Sequence, residues 1–139
     1  MHIIPLILAI FILTACSSKT PPLDSSVNYN MDISVDLREE HRCSRISPEI
    51  EVHSPPNGVA YLNVTLNDME NRNHIHGGGT LKNSNQYGDD IIITEGALTR
   101  YYKGPCPAQG QNRYYQYVVQ ALDTNKQLLG TGQYTFLQE

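Results

Sequence analysis

Ala60-Tyr61-Leu62-Asn63-Val64-Thr65-Leu66 is the stretch that decides the fold. Ala60, Leu62, Val64 and Leu66 alternate with Tyr61, Asn63 and Thr65. A period of two sends the first set to one face of a strand and the second to the other, so the segment reads as a strand with one buried face. The same period recurs on either side. Ile33, Val35 and Leu37 alternate with Asp32, Ser34 and Asp36, and Ile50 and Val52 alternate with Glu49, Glu51 and His53. Ile91-Ile92-Ile93-Thr94 is a short β-branched run and reads as a buried strand. Residues 113–122 and Gln133-Tyr134-Thr135-Phe136-Leu137 are rich in strand formers. Ser54-Pro55-Pro56-Asn57-Gly58 supplies turn chemistry between two of these segments. No window holds three turns of helical spacing; Thr124 to Leu129 offers at most a short helix. Short strands, abundant turns and almost no helix predict an all-β domain with minor helix, an antiparallel two-sheet β-sandwich. Nine Tyr against two Phe and no Trp suit a half-buried sheet, where a ring packs and its hydroxyl stays wet.

The N-terminus has a different character. From Ile3 to Leu13 the chain is apolar, broken only by Pro5, and small residues lead into Cys16. About eleven apolar residues are too few to span a bilayer as a helix, which needs roughly 17–25. They fit the apolar part of a secretory signal peptide. Leu13-Thr14-Ala15-Cys16 resembles the lipobox of bacterial lipoproteins, where the signal is cut before a cysteine that is then acylated. The expected layout is a signal peptide over 1–15, a lipidated Cys16 with a Ser-, Pro- and Asn-rich tether over 16–30, and one domain over 31–139. Acyl chains on Cys16 would hold the protein to a membrane of the bacterial cell envelope, its domain facing the periplasm. Ser17 resembles outer-membrane sorting, which favours the outer over the inner membrane.

Cleavage leaves 124 residues, 139 less the first 15, enough for one core and too few for two domains. The leader carries no Asp, Glu, Lys or Arg, so the net charge stays at −4. That balance gives no electrostatic reason to expect nucleic acid, which calls for a basic patch. With Cys16 acylated, Cys43 and Cys106 remain, an even pair in an oxidising space, and a disulfide between them is expected. Two reduced, buried cysteines acting as small apolar fillers are the alternative.

Two irregular segments stand out, and irregular segments of a sandwich tend to carry its site. One is Cys43-Ser44-Arg45-Ile46-Ser47-Pro48-Glu49-Ile50. The other is Tyr102-Lys103-Gly104-Pro105-Cys106-Pro107, followed by Gln111-Asn112-Arg113-Tyr114 and a strand ending Gln120-Ala121-Leu122-Asp123. Together they resemble the bacterial, Raf kinase inhibitor-like branch of the phosphatidylethanolamine-binding protein family. That family carries a Cys-x-x-x-Ile-Ser-Pro element, then a Tyr-x-Gly-Pro-Cys-Pro loop and a His-Arg-Tyr strand ending in Ala-Leu-Asp. Asn112 stands here in place of the triplet's histidine. The resemblance implies a two-sheet sandwich whose small pocket takes an anionic or phospholipid-like head group without catalysis. It places Asp68, His74 or His76, Gly104 and Tyr114 at that pocket. No cofactor is implied. Imidazole N–H, tyrosine hydroxyl and backbone N–H are the donors such a pocket needs, and a carboxylate beside a histidine favours its charged form.

Other readings compete. His76-Gly77-Gly78-Gly79 is similar to the oxyanion element of lipases and esterases, but the chain has no Gly-x-Ser-x-Gly elbow to supply a nucleophile. His74 and His76, or His41 and Cys43, would share a strand face and with Cys106 could hold a metal; a disulfide would remove both thiolates. The third alternative is an envelope protein partner docked on the tyrosine-rich strand 113–117. The resemblance favours a head-group binder that is no enzyme and holds no metal.

Overall fold

The computed structural model describes residues 29–84 and 89–139. The signal peptide expected over 1–15, Cys16 and the tether to residue 28 lie outside the described residues. The tether's last two residues do not belong to it, because Tyr29 and Asn30 already form a strand. Seven strands follow in order: β1 (Tyr29–Asp36), β2 (Glu49–His53), β3 (Tyr61–Asp68), β4 (Ile75–Lys82), β5 (Ile91–Ile93), β6 (Arg113–Leu122) and β7 (Leu128–Gln138). A single 3-10 turn, Glu39–His41, is the helical content of the described residues. No helix there is long and apolar enough to cross a membrane.

The strands form one curled sheet in the order β4-β3-β6-β7-β1-β2-β5. The sheet turns at β1. Tyr29, Asn30 and Met31 pair in parallel with β7, whereas Asp32 to Asp36 pair antiparallel with β2. The parallel pair departs from the wholly antiparallel arrangement expected. Glycines on β7 permit it, since a Cβ at Gly130 would lie 2.7 Å from the Tyr29 carbonyl and one at Gly132 would lie 2.7 Å from Ile33 Cγ2. The two leaves enclose a single core. Met31, Ile33, Ile50, Val52, Ile91 and Ile93 meet Leu62, Val64, Leu66, Tyr115, Tyr117, Val119 and Ala121 in one buried cluster. At its centre the hydroxyls of Tyr102 and Tyr117 share a 2.6 Å hydrogen bond, so neither buried polar atom goes unpaired.

Two local expectations fail for identifiable reasons. Residues 124–127 form a turn, not a helix, because the Asp123 carboxylate accepts the N–H groups of Asn125 and Gln127 at 2.8 Å. Strand β4 was not expected at all, since its His-Gly-Gly-Gly core has poor strand propensity. The glycines are there for contact. A Cβ at Gly78 would run into the Val64 carbonyl, and one at Gly77 would run into the backbone of Tyr101.

Candidate functional site

The period that buries Leu62, Val64 and Leu66 on β3 carries on to Asp68, which is therefore also buried. On β4 the same logic buries His76, only 2% exposed. On β6 the core-facing residues are the odd ones, starting with Arg113 and Tyr115, and the register sets Asp68 opposite Tyr115. Since β3 lies between β4 and β6, the three strands converge on one end of the core. The segment after Gly104 closes that end. Asp68, Asn71, His74, His76, Gln111, Arg113 and Tyr115 line a hollow of about 190 Å³ together with Cys106, Pro107 and Ala108.

Cys43 and Cys106 are joined by a disulfide, which fastens the closing segment to the loop that follows the 3-10 turn. The Cys43 N–H donates to the Pro105 carbonyl at 3.0 Å and the Gly104 N–H to the Ser44 carbonyl at 2.7 Å. Gly104 packs against the His41 carbonyl so closely that no Cβ would fit. Its place is the seam between those two loops, and its side of the backbone does not line the hollow.

The ionic groups of the hollow are tightly held. Asp68 accepts hydrogen bonds from Arg113 at 2.9 Å and from the N–H groups of Glu70 and Asn71 at 3.0 Å. Burial alone would push its carboxyl up, but the Arg113 hydrogen bond and the two N–H groups outweigh it and hold the group below the usual carboxylate value. His76 donates from Nδ1 to the Lys103 carbonyl at 2.9 Å. Its ring meets Tyr115 edge-on, with centroids 5.3 Å apart. Burial pushes the imidazole below its ordinary value, against the pull of the Lys103 carbonyl, so the resting ring is neutral. Two buried atoms on residues that line the hollow then lack a hydrogen-bond partner: Nε2 of His76 and Nε of Arg113. The first accepts when neutral and donates when protonated; the second only donates.

Of the expected residues, Asp68, His74 and His76 come together here, and the Cys106-Pro107 segment meets them. Tyr114 does not. It is 51% exposed on the opposite face of β6, and its N–H donates to the Glu70 carboxylate. Tyr115 takes its place, the hydroxyl accepting the Cys106 N–H at 3.3 Å. Arg113, Tyr115 and Gln111 were missed, although the alternation of β6 already separates Tyr115 from Tyr114. The His-Gly-Gly-Gly segment is strand interior, with the Gly78 N–H donated to the Arg100 carbonyl and not held open for an oxyanion. The disulfide also occupies both thiols that the metal reading needed. A separate group, Glu51, His53 and Asp90, gathers on the outer face of β2 and β5, where His53 Nδ1 pairs with Asp90 at 3.1 Å. That hydrogen bond raises the His53 pKa. No family model matches the chain, and no curated protein matches it.

Proposed function

We propose that this chain is a lipid-anchored envelope protein whose domain resembles the phosphatidylethanolamine-binding type and binds, without catalysis, an anionic or phospholipid-like head group. On this reading the two leaves joined at β1 correspond to the two layers of the sandwich. The observation that carries the proposal is the pair of unpartnered buried nitrogens, His76 Nε2 and Arg113 Nε, on two residues that line one hollow. A buried polar group without a partner costs about 1–3 kcal/mol, so such a pair is retained where something else completes it. A phosphate oxygen is a suitable complement. It accepts from Arg113 Nε–H and draws a proton onto His76, whose Nε2–H then donates as well. Asp68 keeps the guanidinium in place and the disulfide keeps the closing segment over it.

The hollow's volume, about 190 Å³, suits a head group and not an acyl chain. The test is calorimetric titration of the chain with glycerophosphoethanolamine and with inorganic phosphate. Binding of the first, weakened at least tenfold in Arg113→Gln, supports the proposal. Binding of neither ligand overturns it and leaves the envelope protein-interaction module as the better reading.

A further inference from the structure

Tyr101 holds a backbone conformation that bulky residues avoid, with φ at +56°, and its ring is 86% exposed. The flanking chain imposes this. Arg100 exchanges two backbone hydrogen bonds with Gly78, at 3.0 and 3.1 Å, and the Lys103 N–H donates to the His76 carbonyl at 2.8 Å. Tyr102, between them, is buried against Tyr117. Residue 101 is thus pinned from both sides, and its side chain can only project outward. Strain held by over-determined surroundings is characteristic of binding surfaces. Tyr101 and Ile75, the latter 83% exposed, line one groove of about 300 Å³, which Arg72 and Arg100 also line. Tyr101 also lines a second groove, together with Arg45 and Arg100.

The two grooves contain no Asp or Glu in their lining. No carboxylate among the described residues pairs with Arg45, Arg72 or Arg100, whereas Arg38, Arg42 and Arg113 each have an acidic partner. A chain of net charge −4 therefore concentrates unpaired cations around two projecting side chains. We infer that this face docks on an anionic lipid surface, with Ile75 entering the apolar boundary, Tyr101 at head-group level and the arginines on lipid phosphates. Protruding side chains suit a bilayer better than a groove-filling peptide, and tyrosine favours that interface. The inference does not depend on acylation of Cys16 or on occupancy of the Asp68 hollow.

The test is partitioning of the full chain onto vesicles of phosphatidylcholine and onto vesicles with about a third phosphatidylglycerol. Any contribution of the apolar N-terminus is common to both, so the difference reports the cationic face. At about 1 kcal/mol, or fivefold, per cation, Arg45, Arg72 and Arg100 predict roughly a hundredfold tighter partitioning on the anionic vesicles at low salt. Arg45→Gln, Arg72→Gln and Arg100→Gln together should abolish that difference while the near-ultraviolet spectrum stays native. The chain has no Trp, so Tyr101→Trp supplies a single reporter, whose emission should shift to shorter wavelength on the anionic vesicles alone. Equal partitioning, or an unshifted Trp, overturns the inference. So does binding of polyglutamate in place of vesicles, which would assign the face to an acidic protein.

Discussion

The imidazole of His76 donates from Nδ1 to the carbonyl of Lys103 at 2.9 Å, which fixes the ring and leaves Nε2 buried without a partner. One hydrogen bond thereby ties β4 to the segment that closes the hollow, and on the proposed reading it orients the free nitrogen for a ligand. The same segment carries Cys106 toward Cys43, so the ring, the loop and the disulfide form one mechanical unit.

The approach of β4 to β3 depends on Gly78. Gly78→Ala places a methyl group in the Val64 carbonyl and should cost about 3 kcal/mol, read as a lower urea midpoint. Gly96→Ala meets no atom within 4 Å but must hold φ near +77°, so it should cost only about 1 kcal/mol. Equal costs would contradict the close packing.

The Tyr102–Tyr117 pair predicts a non-additive cycle. Tyr117→Phe strands the Tyr102 hydroxyl in the core and should cost about 1–3 kcal/mol. Replacing both tyrosines by Phe should cost less than the two single changes added together, because no polar atom is then left unpaired. Burial pushes Tyr102 up to about 12, so the pair stays neutral through ordinary pH and the cycle should not vary with it.

Stability should fall in mild acid because of His41. Its side chain is buried, and Nδ1 accepts the Arg38 N–H at 3.0 Å, so that nitrogen has no room for a proton. Burial, with Arg38 nearby, holds its folded pKa below 6.5. Below pH 6.5 the unfolded chain therefore binds more protons than the folded one, and stability drops as pH falls through that value. His76 acts in the same direction, and His53, raised by its hydrogen bond to Asp90, acts in the opposite one. Urea unfolding at pH 7.5 and 5.5 should show the loss, and His41→Asn should reduce the slope without abolishing it. A pH dependence left unchanged by His41→Asn would contradict a buried neutral His41.

What the residues alone disclose follows from which physical signal each position carries. Alternation located β1, β2 and β3, because a half-buried strand must alternate, and strand propensity located β6 and β7. It did not reveal the parallel β1–β7 pair, since a period of two says which face is buried and not which strand lies beside it. Strand β4 was hidden because its glycines are chosen for backbone contact with Val64 and Tyr101, and contact leaves no hydropathy signal. The site divides in the same way. The resemblance named Asp68, His76 and Tyr114 alike; Asp68 and His76 lie on buried strand faces, whereas Tyr114 lies on the exposed side of β6. Arg113 escaped notice because its importance lies in a partner 45 residues away, Asp68, that only the folded register supplies.

The head-group proposal is tested most directly by the titration of His76 itself, followed by nuclear magnetic resonance of the ring carbons with and without saturating glycerophosphoethanolamine. An anion at Nε2 and Arg113 Nε must favour the charged imidazole, so the His76 pKa, below 6.5 in the free protein, should rise on addition of the ligand. Affinity should strengthen in step as pH falls through that range. A His76 titration that the ligand leaves unmoved would contradict the account.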